Sequence, residues 1–442
     1  MSIPSEMQYA LKDPAVAARS YTSSLKPVNG STFAMGTITQ IDINCGRQGE
    51  FLFPASSYLR FKLTNTGTSN SNGNDTELDG GASACISKLE LYHGSTLIES
   101  IQEYNALHAI LTDLQVPYNN RIGLHDLIQG GATSETNSAQ ASIEAGSALA
   151  ENGGAKFFSF SLISAFIGTL SDTSLPLAAM GSDLRIEITW ATQNDAFKHT
   201  GTPVITVSDV SFEASIKQVD SQTEAAVLGQ AEGGMLNWHS FSFRNYTQSI
   251  GTNETQSTIL VPARFSSLRN LTMCMRPAAN IGKKTTFSIK GREKAGLTQY
   301  QLRVGNEMVP QQPIPVGNDY SICVPELLRA YHMLATDQEH GLALTNETLW
   351  AVNDASADAT RGSFVFGADL GSFEGKSSQL NAGRNTLSSQ LFVELSKSAT
   401  AHVIRFDAWA AHDMLCSLDL NSGQISVRFK KNLVVSKYKW LE

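Results

Sequence analysis

Lys88-Leu89-Glu90-Leu91-Tyr92-His93-Gly94 and Tyr300-Gln301-Leu302-Arg303-Val304-Gly305 are the two stretches on which the fold turns. Each alternates polar and apolar side chains and ends in glycine, the pattern of a half-buried strand running into a tight turn. The two glycines lie 211 positions apart. A short helical pattern follows each stretch. Tyr104, Leu107, His108 and Leu111 sit at helical spacing within Glu103–Leu114, and Pro325–Thr336 answers it in the second half. Leu184-Arg185-Ile186-Glu187-Ile188 likewise matches Leu391-Phe392-Val393-Glu394-Leu395, and Val210-Ser211-Phe212-Glu213 matches Ile425-Ser426-Val427-Arg428. A near-constant offset with the elements in one order predicts two copies of one architecture.

Working outward, the same period-2 pattern predicts first-half strands at 37–43, 58–63, 96–99, 157–160 and 207–216. In the second half it predicts them at 236–243, 257–261, 267–275, 285–290, 364–366, 387–395, 402–408 and 424–429. Stretches rich in Gly, Ser and Asn at 65–81 and 129–154 predict long loops, and 340–362 reads the same way. Residues 1–27 read as an N-terminal arm, 28–217 as a first jelly roll, 218–234 as a linker, 235–430 as a second jelly roll and 431–442 as a basic tail. Short strands joined by long turn-rich connections close into sandwiches, and jelly rolls protect their edges in this way. The expected class is all-β: two tandem eight-stranded jelly-roll β-sandwiches with short inserted helices.

Composition narrows the function. The 442 residues carry 33 basic and 41 acidic side chains, a net charge of −8. A protein that wraps nucleic acid over its whole surface would be basic. Five cysteines, Cys45, Cys85, Cys274, Cys323 and Cys416, form no CxxC pair and read as reduced thiols. The opening residues, MSIPSEMQYALKDP, lack the basic and apolar regions of a secretory signal. Residues such as Asn74, Asn270 and Asn346 in N-x-S/T contexts are therefore expected to be chance matches.

Active-site patterns are sparse. The histidines, among them His93, His108, His125, His199 and His239, are scattered singly, with no HxH and no HExxH. No GxSxG elbow occurs. Gly282-Lys283-Lys284-Thr285 looks like the end of a phosphate-binding loop, but Pro277 stands where that loop needs glycine. Glu187 and Glu394 fall opposite the apolar faces of their strands, where carboxylates are solvated. No catalytic residue, cofactor or metal is expected. The charge anomaly is terminal: Arg428, Lys430, Lys431, Lys437 and Lys439 face one acidic residue between 428 and 442. Interleaved with Leu433, Val434, Val435, Tyr438 and Trp440, they predict a tail that docks on an acidic neighbour, packaged DNA or a membrane surface.

The chain resembles the double jelly-roll major capsid proteins of tailless icosahedral DNA viruses, nearest in style to those of polinton-like viruses and virophages. The resemblance is carried by Gly49-Glu50-Phe51-Leu52-Phe53-Pro54 through Ser57-Tyr58-Leu59-Arg60-Phe61, by Ile86 to Ser95, and by Ile101-Gln102-Glu103-Tyr104-Asn105. Arg405-Phe406-Asp407-Ala408-Trp409 and Gly423-Gln424-Ile425-Ser426-Val427 add to it. The resemblance implies homotrimers whose six rolls form a pseudo-hexagonal unit of a virion shell. It also implies outward-facing loops, and penton and minor (cement) proteins as further partners. Two other classes remain open on the residues alone: a double-sandwich enzyme (bicupin or glycan hydrolase) and a receptor- or carbohydrate-binding structural protein.

Overall fold

The computed structural model describes residues 18–67, 76–116, 126–130, 149–150, 152–171, 173–317, 320–331, 347–358, 360–373 and 382–428. Eight principal strands, with shorter ones beside them, build the first half among the described residues: β1 (Ala18–Leu25), β2 (Ile38–Ile43), β3 (Tyr58–Asn65), β4 (Ile86–His93), β5 (Thr96–Gln102), β6 (Gly154–Phe160), β7 (Leu184–Trp190) and β8 (Ile205–Val219). They pair antiparallel as two sheets, β1-β8-β3-β6 and β2-β7-β4-β5. The pairs 1–8, 2–7, 3–6 and 4–5 describe one long hairpin wrapped into a sandwich, which is a jelly roll.

The second half repeats that order. Its strands are β9 (Met235–Ile250), β10 (Gln256–Val261), β11 (Leu268–Pro277), β12 (Leu297–Val304), β13 (Glu307–Pro315), β14 (Phe366–Asp369), β15 (Leu391–Lys397) and β16 (Ile404–Asp419). They form β9-β16-β11-β14 and β10-β15-β12-β13, so each strand of the first roll has its counterpart eight numbers on. The helices recur in place. Helix α1 (Tyr104–Gln115) follows β5, and α3 (Cys323–Ala330) follows β13, with α2 (Ser221–Leu228) between the rolls.

The two opening stretches are β4 and β12, each closing a two-residue turn. Gly94 and Gly305 occupy the left-handed region, at φ 57° and 62°, where a side chain is strained. Their amides make equivalent bonds, Gly94 N–H to Asp183 O at 3.0 Å and Gly305 N–H to Gln390 O at 2.8 Å.

Several expectations change. Ala18–Leu25, placed in the N-terminal arm, is a full strand on β8. Its alternation of Tyr21, Ser23 and Leu25 inward with Ser20, Thr22 and Ser24 outward suits a sheet. The region 218–234 contains α2, whose first turn is capped by Asp220 accepting from Thr223 N–H at 2.8 Å. Residues 285–290 are not a strand. The Asp79 carboxylate takes the amides of Ile289 and Lys290, at 2.6 and 2.8 Å, that a ladder would use. Strand β13 was not expected, because Pro310, Pro313 and Pro315 interrupt it. It lies at a sheet edge, where missing amide donors do no harm. The match of Val210–Glu213 to Ile425–Arg428 is corrected. The counterpart of β8 is β16, and Ile425–Arg428 is an extra strand on β16.

Each roll has its own packed interior. Phe61, Trp190 and Phe160 anchor the first, with Phe61 and Trp190 ring centroids 5.2 Å apart. Tyr300, Phe366 and Phe406 anchor the second. The first core does not stop at the roll. It runs on through Cys274, Trp409, Ala411 and Met414 of the second roll, so the two halves are packed as one body at their contact.

Candidate functional site

Strands β11 and β16 are buried along both faces, although only one face of a two-sheet sandwich needs to be. Met273, Met275, Phe406 and Ala408 point into the second roll's own core. Cys274, Asp407, Trp409 and Ala411 point the other way, into the first roll. The seam between the rolls is therefore the most elaborated surface among the described residues.

Its ion pairs are sorted by sign: the first roll supplies the carboxylates and the second the guanidiniums. Glu77 pairs with Arg361 and Asp113 with Arg292, all four side chains at most 6% exposed. Glu103, opening α1, meets Arg276 at 3.3 Å and Arg405 at 2.7 Å. Arg276 also binds Asp407 at 2.6 Å. Burial opposes ionisation of Asp407, yet the guanidiniums of Arg276 and Arg405 hold its carboxyl below the usual range. Backbone contact completes the seam: Gly181 N–H donates to Gly423 O at 2.9 Å. Gly423 has φ 66°, and an added Cβ would lie 2.3 Å from Gly181 N. Only glycine permits that approach.

Glu99 on β5 crosses the seam with neutral partners among the described residues. It accepts from Ser164 Oγ, from Ala165 N–H at 2.9 Å and from Ser242 Oγ of the second roll at 2.6 Å. Burial raises its pKa above the ordinary 4.5, and these donors oppose the rise. A carboxyl protonated more readily when folded contributes stability in acid that is lost as pH rises through its raised folded pKa. Glu99→Gln should therefore remove a fall in stability that the wild type shows from about pH 4.5 upward. Melting temperatures of both proteins across that range test this; parallel curves would refute it.

Catalytic constellations are poorly supported. Burial pushes the thiols of Cys45, Cys274 and Cys323 up to about 12, so none is a ready nucleophile. His412 is stacked on Phe265 at 3.9 Å, and burial lowers its pKa to about 4. Glu293, Asp354 and His402 place possible metal-ligating atoms within 4.8 Å of one another. Both Glu293 oxygens are already engaged, by His402 Nε2 at 2.7 Å and Ala355 N–H at 2.8 Å, which accounts for the cluster without an ion. Glu187 accepts from Gln40 Nε2, and Glu394 pairs with Arg303 at 2.8 Å on a partly exposed face. A 480 Å³ cleft opens between the rolls beside Glu99, Ser242 and Arg244. Among the described residues no helix is long and apolar enough to cross a membrane.

Of the basic tail, Arg428 ends the extra strand on β16. Lys430, Lys431, Lys437 and Lys439 lie outside the described residues. Glu103, Arg405 and Asp407 stand in stretches that carry the resemblance, but nothing in the sequence pairs the seam acids with their arginines. The available signal was doubled apolarity, as in Met273-Cys274-Met275 and Ala408-Trp409-Ala410-Ala411, which marks a sheet covered on both sides.

No family model and no curated protein matches the chain. Solved structures do. PBCV-1 VP54, fitted into a reconstruction of the virophage Sputnik, aligns with TM-score 0.60 at 12% identity, covering 96% of this chain and 100% of that one. The mavirus major capsid protein aligns with TM-score 0.55 at 9% identity over 97% and 93%. A chain of the Sputnik virophage structure gives 0.57 at 10% over 97% and 92%. The fold is the double jelly roll of viral capsid proteins. At these identities the likeness lies in the architecture: this double jelly roll shares strand layout over nearly its whole length with those chains, while its side chains are its own.

Proposed function

We propose that this chain is the major capsid protein of an icosahedral DNA virus, acting as a building block and not as an enzyme. The observation that carries the reading is the duplicated strand order, with the two rolls locked side by side over a buried seam. Two similar walls per chain let three chains present six, an outline that tiles a shell while reusing few interfaces. Its partners are then other copies of itself, first in the homotrimer and then in neighbouring capsomers, with penton and minor (cement) proteins completing the virion. The tail residues Arg428, Lys430, Lys431, Lys437 and Lys439 bind packaged DNA or an internal membrane in this reading, since clustered cations favour anionic surfaces. A net charge of −8 helps to keep unassembled trimers in solution.

Native mass tests the reading directly. Three copies of the 47.7 kDa chain give about 143 kDa. Concentrated protein should form hexagonal units or closed shells in negative stain. Deleting residues 432–442 should reduce shells while leaving the trimer mass unchanged. A wild-type protein that stays a single chain at every concentration would refute the proposal.

A further inference from the structure

We infer that the seam between the rolls is a binding site for a single halide ion such as chloride, held between helix α1 of the first roll and residues 290–292 and 361–363 of the second. The inference does not rest on the capsid reading.

Two short segments of the second roll build one wall. Gly291 and Arg292 pair in parallel with Gly362 and Ser363, and Gly362 N–H donates to Lys290 O at 2.6 Å. An added Cβ at Gly362 would collide with the Arg292 carbonyl, so glycine is what lets the segments close. That pairing sets Lys290 and Arg292 beside Arg361 and Ser363. Ala109 and Asp113, four residues apart on α1, form the facing wall. Together they enclose a cavity of about 20 Å³.

The walls are rich in positive charge and in donors. Lys290, Arg292, Arg361 and Asp113 line the cavity, three cations to one carboxylate among the described residues, and each is at most 6% exposed. Glu77 answers Arg361 from outside it. Asp79 is engaged by the amides of Ile289 and Lys290, and burial pushes its carboxyl above the ordinary range. Arg292 decides the site. Its Nη2 donates to Asp113, but Nε and Nη1 are buried and find no acceptor among the described residues. Buried donors of a charged group are costly to leave unmatched.

Charge and size select the ligand. Lysine and arginine offer donors only, so the cavity calls for an acceptor. An anion accepts from Arg292 and offsets the surplus positive charge, whereas a water supplies no charge and must aim its own protons at a wall of donors. A volume of about 20 Å³ is little more than the 10–15 Å³ that one water needs. A phosphate or sulfate, with four oxygens around its centre, is too large. The ion would tie α1 to the second roll, reinforcing the buried pair of Asp113 and Arg292.

The test melts the full chain while sodium gluconate is exchanged for sodium chloride at constant ionic strength. Once the dissociation constant is passed, the melting temperature should climb by about 2 °C for each tenfold rise in chloride. Bromide should act as chloride does. The double variant Arg292→Met with Asp113→Leu, which leaves neither charge without its partner, should be indifferent to the exchange. Wild-type crystals grown in bromide should show an anomalous scattering peak in the cavity, within hydrogen-bonding reach of Arg292, and this readout needs no variant to fold. A water there without anomalous signal would overturn the inference. So would a wild-type melting temperature unmoved by the exchange, or a double variant that responds as wild type does.

Discussion

Asp407→Ala should destabilise the protein by about 3–5 kcal/mol, because it removes the nearest counter-charge of a buried guanidinium and leaves it to Glu103 at 3.3 Å. Asp407 is fully buried and Arg276 is 2% exposed, and Arg276 Nη2 lies 2.6 Å from the carboxylate. Thr247 Oγ1 also donates to Asp407, at 2.8 Å. The loss reflects a buried guanidinium left with a weaker partner more than the worth of the pair. Replacing both, Arg276→Met with Asp407→Leu, should recover most of the stability, since apolar side chains of similar volume avoid the desolvation cost. Glu103 and Arg405 would remain paired with each other at 2.7 Å. Chemical denaturation of the single and double variants decides the matter. A double variant as unstable as the single would show that the network is needed as a set. Asp407 also carries a pH signature opposite to that of Glu99. Its depressed pKa contributes stability above the ordinary carboxyl range, and this is lost as pH falls through the folded value.

Trp409→Ala should cost about 3–5 kcal/mol through lost burial and the cavity left behind. Trp409 is fully buried and packs into the core that the first roll extends across the seam. Among the described residues its Nε1 finds no acceptor, so part of its burial is spent on an unsatisfied donor. Trp409→Phe should therefore cost far less than the alanine change. Should the two variants melt together, the indole would be contributing little packing, and the continuous core between the rolls would be a weaker contact than its burial implies.

These two residues also show where sequence reading stops. Asp407 and Trp409 stand in Arg405-Phe406-Asp407-Ala408-Trp409, legible as a strand with one buried face. That the other face is buried too depends on a partner about 300 residues away in the chain, with Glu103 as its contact. Local periodicity is indifferent to such distances. The misplacements have the same origin. Three prolines hid β13, because propensity cannot know that a strand lies on an edge. Residues 285–290 alternate like a strand, but Asp79 in the other roll takes their amides.

The chain alone determined the duplication, the all-β class and the position of most strands. Side-chain alternation and turn glycines are imposed by backbone geometry within a few residues, so they are written locally. Tertiary structure alone decided which sheet faces are shared between the rolls and which carboxylate meets which guanidinium. Those depend on how two finished sandwiches pack, and the free energy of that packing comes from residues far apart in sequence.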